Sequence, residues 1–101
     1  MSSITERLGF AARHHPSFMT ALGDAARAQA IGPLDAKTTK LIYLGALAAL
    51  GAQESFRFHL KEAMDSGITE EEALHAALCT FTAAGITPIL KVLDAFIKEG
   101  E

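Results

Sequence analysis

The sequence predicts an all-α fold, and three observations support that class. Segment boundaries carry helix punctuation, apolar residues recur at helical rather than alternating spacing, and no internal repeat, linker or low-complexity stretch intervenes. The 101 residues suffice for one domain with a modest core. Residues 1–101 are therefore expected to form a single domain of about six helices.

The elements follow in order. Ser3 to Arg13 and Pro16 to Gln29 read as two short helices before the Gly32-Pro33 break. Asp35 is placed as the N-cap of a third helix reaching Leu50, where Gly51 interrupts. A fourth runs from Gln53 to Asp65, with Gly67 positioned for a left-handed C-terminal cap. Thr69 with Glu72 three residues later forms a capping box, and Glu70 and Glu71 add favourable charge at the positive helix end. That helix is expected to continue to Ala84 and stop at Gly85. The last begins at Thr87-Pro88, with proline at the first helical position, and reaches Lys98.

Side-chain periodicity adds packing to this outline. Phe56, His59, Leu60, Ala63 and Met64 share one face of the fourth helix, opposite Glu54, Arg57, Lys61 and Glu62. In the last helix Ile89, Leu90, Leu93, Phe96 and Ile97 group together, with Lys91, Asp94 and Lys98 outward. The third helix differs, because Leu41, Ile42, Tyr43, Leu44, Leu47 and Leu50 surround it with Ala and Gly between. A helix apolar all round is buried on all sides. In so short a chain that cover is expected from further copies of the protein.

Composition points the same way. Counting the 8 glycines and leaving out Tyr43, about 57% of residues are apolar, where soluble domains average about 45–50%. Exposed apolar patches normally mark interfaces. The net charge of −3 and the lack of a basic stripe interleaved with aromatics argue against nucleic-acid binding. Met1 to His15 lacks the apolar run of a signal peptide, and Leu41 to Ala52 is shorter than the ~20 residues a bilayer requires. A cytoplasmic protein without membrane partners is expected. Cys79 is the single cysteine, so no intrachain disulfide or dithiol redox pair exists.

His59 is the first candidate for chemistry. It interrupts an apolar stripe one turn after Ser55, and an imidazole beside a hydroxyl serves as a general base or activates a nucleophile. The alternative is a core histidine satisfied by Ser55 and a backbone carbonyl. Glu71, His75 and Cys79 fall at four-residue spacing on one helix face, but a single helix rarely supplies a whole metal site, so none is assigned. Cys79 is expected to fill core space as a small apolar group. Glu70, Glu71 and Glu72 read as a capped helix start, and the isolated glycines offer no phosphate-cradling loop.

One stretch carries a family resemblance. Gly32-Pro33-Leu34-Asp35-Ala36-Lys37 leads through the small-residue helix to His59-Leu60-Lys61-Glu62-Ala63. Asp65-Ser66-Gly67-Ile68-Thr69-Glu70-Glu71-Glu72-Ala73 follows, and the stretch closes at Ala84-Gly85-Ile86-Thr87-Pro88. Over residues 17 to 98 this layout resembles the carboxymuconolactone decarboxylase family, which includes the alkylhydroperoxidase D-like proteins. The resemblance implies an all-α domain assembled as trimers or hexamers with sites near subunit contacts, and no cofactor. The chain is a divergent member. Where the hydroperoxidase branch has Cys-x-x-Cys-x-x-x-His, it has Ala52, Ser55 and His59, and Lys40 replaces a glutamate in the preceding helix. Disulfide-based peroxide reduction is therefore disfavoured. The lactone decarboxylase branch, which keeps the histidine alone, fits better, although Ser55 stands where it has a glutamate.

What the resemblance implies is a lyase, decarboxylase or isomerase acting on a small carboxylated lactone. His59 would handle the proton, Ser55 would orient it or the substrate, and Lys40 would anchor a carboxylate. The alternative is a non-catalytic homo-oligomer that binds a small carboxylated or apolar ligand.

Overall fold

A computed structural model describes residues 2–97. These residues contain seven α-helices and one 3-10 turn, and no strand among them. The chain divides into two compact units that meet at Asp35 and Ala36.

The first unit is a helical hairpin. Helix α1 (Ile4–His14) starts at Ser3, whose hydroxyl accepts from the Glu6 backbone N–H while the Glu6 carboxylate caps the Ser3 backbone N–H. This reciprocal box satisfies two of the orphan donors at a helix start. Helix α2 (Pro16–Gln29) begins with proline at its first position, where no N–H is needed. The Phe10 and His14 rings lie 4.3 Å apart at their centres. Neither helix contains a buried residue.

The second unit carries the whole core. Helix α3 (Ala36–Leu50) packs on α4 (Gln53–Asp65), α5 (Glu70–Leu78) and α7 (Ile86–Leu93). A one-turn helix α6 (Phe81–Ala84) separates the last two, and a 3-10 turn (Asp94–Phe96) follows α7. Leu44, Leu47, Ala48, Phe56, Leu60, Ala63, Ile68, Ala73, Ala77 and Val92 form one buried cluster. Phe96 closes it, its ring centre 5.6 Å from that of Phe56.

Two glycines set the corners at either end of α4. At Gly51 (φ +65°) the Ala52 N–H reaches Leu47 O and the Gly51 N–H reaches Ala48 O. At Gly67 (φ +104°) the Ile68 N–H reaches Ala63 O and the Gly67 N–H reaches Met64 O. Both are the paired closure that ends a helix on a left-handed residue, a conformation costly for any side chain with a Cβ.

Four expectations are revised. The helix expected over 69–84 is broken after Leu78, where the Ala77 carbonyl accepts both the Thr80 hydroxyl at 2.7 Å and the Thr80 backbone N–H at 3.3 Å, a tightened i to i+3 closure. The last helix begins at Ile86, which puts Pro88 at its third position, where an N–H is still not required. Its buried stripe is Ile89 and Val92, with Leu90 exposed, and it ends at Leu93 rather than continuing toward Lys98, because the chain tightens into the 3-10 turn and is extended at Ile97; Lys98 itself lies outside the described residues. Cys79 is exposed rather than a core filler, because the buried α5 residues Ala73 and Ala77 face α3 and the helix stops one residue before the thiol.

Helix α3, expected to be apolar and covered all round, buries Leu44, Gly45, Leu47 and Ala48 within the single chain. Ile42 and Leu50 stay 56% and 77% exposed. No helix among the described residues is long and apolar enough to cross a membrane.

Candidate functional site

The site grows from two packed helices, α3 and α4, whose buried Leu44 and Ala63 both border one crevice. On α4 the buried centre of the stripe is Phe56, Leu60 and Ala63. A helix turns ~100° per residue, so His59 falls on one flank of that stripe and Met64 on the other. His59 is thus half-buried at the edge of the core, its side chain 29% exposed. Glu62, three residues later on α4, is its neighbour on the same flank. On α3, Lys40, Tyr43 and Leu44 share a face at i, i+3 and i+4 spacing.

Packing brings these groups to one crevice, lined by Lys40, Tyr43, Leu44, His59, Glu62 and Ala63. Its volume is about 20 Å³, room for about one water molecule. The Tyr43 hydroxyl lies 3.4 Å from His59 Nε2, and Glu62 Oε1 lies 3.6 Å from His59 Nδ1. The Tyr43 ring meets the imidazole edge-on, with centres 4.7 Å apart and planes at 86°. Phe58 approaches it in the same manner, at 5.1 Å and 84°. Both ring nitrogens therefore face a polar partner while aromatic rings limit the tilt of the imidazole.

Such distances are long for hydrogen bonds, and in unliganded sites catalytic contacts commonly tighten only when substrate binds. Chemically, a carboxylate, an imidazole and a phenol in a row move a proton, and an ammonium beside them attracts an anion.

His59 and Lys40 thus line one crevice. Ser55 lies one turn earlier on α4, half-buried and outside the lining, and the ring nitrogens of His59 meet Tyr43 and Glu62 instead. Tyr43 and Glu62 were not singled out from the sequence. One signal was available for each: Tyr43 is the single tyrosine, placed in an aliphatic helix, and Glu62 stands one turn after the histidine.

A second hollow opens on the other side of α3. It is a groove of about 670 Å³ between α3 and α5, lined among others by Ile42, Gly45, Ala46, Ala76, His75 and Cys79. Gly45 permits the close approach, since a Cβ there would sit 3.2 Å from the Ala76 carbonyl oxygen. At its rim Glu72 pairs with Lys37, and its carboxyl is held below the ordinary value of 4.5 by the Lys37 hydrogen bond first and the Thr69 backbone N–H second. Among the described residues no group of three or more His, Cys, Asp or Glu is placed to hold a metal ion.

Comparison with protein-family models matches residues 14–98 to the family described as "Carboxymuconolactone decarboxylase family". No curated protein and no solved structure matches the chain.

Proposed function

This chain belongs to the carboxymuconolactone decarboxylase family, and on that premise we propose that it is a lyase of decarboxylase or isomerase type acting on a small carboxylated lactone. The observation that carries the reading is that His59 and Lys40, from two different helices, line the same crevice. In decarboxylation the bond to the departing carboxylate breaks and CO2 leaves. The electron pair stays on the substrate carbon, delocalised into the lactone carbonyl. His59 supplies the proton that this carbon then takes up, and solvent returns it. The Lys40 ammonium holds a carboxylate that the reaction keeps, as a point charge rather than a two-pronged clamp. Ser55, on the same flank of α4, orients the substrate where the crevice opens.

The reading includes self-association. A crevice of about 20 Å³ is far below the ~300–1,000 Å³ of a ligand pocket, so a second copy completes the walls around the lactone. Family members are often oligomeric, and trimers or hexamers are the assemblies proposed, in the cytoplasm.

The test is turnover of carboxymuconolactone and simpler carboxylated lactones, followed by product formation. His59→Gln should lower kcat by at least 100-fold, the lower end of what a positioned acid or base contributes, with the number of subunits in the assembly unchanged. Wild-type turnover by that variant would refute the reading.

A second reading is favoured by one observation, the capacity of the α3–α5 groove. At about 670 Å³ it has the volume of a small-molecule pocket, which suits a non-catalytic binder of an apolar or carboxylated metabolite. Thermal shifts with such compounds that survive His59→Gln and vanish on Ala46→Phe would support that reading over the first. Peroxide reduction by a thiol pair has no support, because Cys79 is the only sulfur nucleophile in the sequence.

A further inference from the structure

We infer that Tyr43 is the residue that passes the proton to the substrate, with His59 behind it as the proton source and Glu62 fixing the orientation and protonation of the imidazole. The inference rests on the lyase reading of the same crevice and assigns roles within it.

The geometry points to an intermediary. His59 has two ring nitrogens, and each faces a polar side chain: Nδ1 faces Glu62 Oε1 at 3.6 Å and Nε2 faces the Tyr43 hydroxyl at 3.4 Å. Both contacts are long, but the phenol stands between Nε2 and any molecule that approaches along α3. Tyr43 is more open to solvent than the imidazole, the residue being 41% exposed and the His59 side chain 29%, while the Glu62 side chain at the other end of the row is 59% exposed. Lys40 precedes it by one turn on the same helix and lines the same crevice. A carboxylated molecule held by the Lys40 ammonium therefore meets the phenol before the imidazole.

The proton path balances. With His59 doubly protonated, Nδ1–H donates to the Glu62 carboxylate and Nε2–H donates to the Tyr43 oxygen, leaving the phenolic O–H directed at the substrate. When CO2 departs, Tyr43 gives its proton to the carbon that keeps the electron pair and takes the Nε2 proton in the same step. The imidazole is left neutral with its remaining proton on Nδ1, and water restores the other. The net change is the loss of CO2 and the uptake of one proton. Glu62 performs an orienting task, because a carboxylate beside Nδ1 keeps the proton on that nitrogen and leaves Nε2 to exchange with the phenol.

Two measurements on the full chain test this without a known substrate. The first is the ring-nitrogen NMR shifts of His59 at alkaline pH, where the imidazole is neutral. The native chain should carry the proton on Nδ1, and Glu62→Gln should move it substantially to Nε2, the form preferred by a free imidazole. The second uses 4-carboxybenzenesulfonyl fluoride, whose carboxylate suits Lys40. The Tyr43 oxygen attacks sulfur, fluoride leaves, and the phenolic proton passes to His59. Mass spectrometry should locate the adduct on Tyr43, with labelling slowed at least tenfold by His59→Gln and by Lys40→Met.

A native His59 protonated on Nε2, or Tyr43 labelling unaffected by His59→Gln, would overturn the inference. Absence of lactone turnover with labelling as described would remove the lyase reading and leave the relay. Turnover with labelling indifferent to His59 would do the reverse.

Discussion

The two sides of α3 differ in what they gather. One side presents Lys40 and Tyr43 to His59 and Glu62 around a crevice of about 20 Å³. The other presents Ile42, Gly45 and Ala46 to α5 along a groove of about 670 Å³. The large hollow is lined mainly by small and apolar groups, with Glu72, His75 and Cys79 along α5, whereas the small one holds an ammonium and a phenol from one turn of α3 and an imidazole and a carboxylate from one turn of α4. Volume and chemistry therefore separate on this helix. Convergence of titratable groups marks the reactive side, and close backbone approach with exposed apolar side chains marks the side suited to another protein surface.

The contrast breaks most severely at the core that holds α3 in place between the two sides. Leu44 is 1% exposed and belongs both to that core and to the crevice wall. Leu44→Ala should cost about 2–5 kcal/mol in chemical denaturation and disturb both sides together. A loss below about 1 kcal/mol would show that α3 is not the element on which both depend.

A smaller and one-sided effect is expected at Gly45. A Cβ there meets the Ala76 carbonyl oxygen at 3.2 Å and Thr80 Cγ2 at 3.4 Å, and the first of these is backbone. Gly45→Val should therefore cost about 1–3 kcal/mol by forcing α3 from α5, while His59 keeps its nitrogen proton on Nδ1. An unchanged melting temperature would contradict the close packing, and a displaced imidazole proton would show that the two sides are coupled.

The smallest effect belongs to Glu72, at the groove rim. Its carboxyl is held below the ordinary value by Lys37 and by the Thr69 N–H. A group whose folded value is lowered stabilises the fold fully above its unfolded value and loses that contribution as pH falls through the folded one. Native protein should thus exceed Glu72→Gln in stability near neutral pH, with the difference shrinking as pH drops below 4.5. Because the group is exposed, added salt should reduce it as well. A difference that grows on acidification would reverse the sign.

Most of the helical outline was legible because its signals are local. Gly51 interrupts the chain after α3 as expected, Gly67 ends α4 with the positive φ its position suggested, and Thr69 with Glu72 forms the capping box that opens α5. The family layout was legible too, read over residues 17 to 98 and matched over 14–98. The break at Thr80 was not, because a threonine within a helix points to solvent or bonds back to its own helix according to its surroundings. Nor was the partner of His59. Ser55 was the natural candidate from spacing along one helix, but Tyr43 lies 16 residues away and reaches the imidazole only through the crossing of α3 on α4. Cys79 was misplaced because its residue type alone suggests a small apolar filler, whereas it lies with His75 along the open groove, away from the buried Ala73 and Ala77.

The proposal that further copies of the chain cover what α3 leaves exposed carries the widest consequence. Ile42 at 56% and Leu50 at 77% exposure show that a single chain does not cover this helix all round. Light scattering on the purified protein at micromolar concentration tests the claim most directly. The account predicts one species at a threefold or sixfold multiple of the 10.7 kDa subunit mass. A monodisperse, folded species at 10.7 kDa would contradict it.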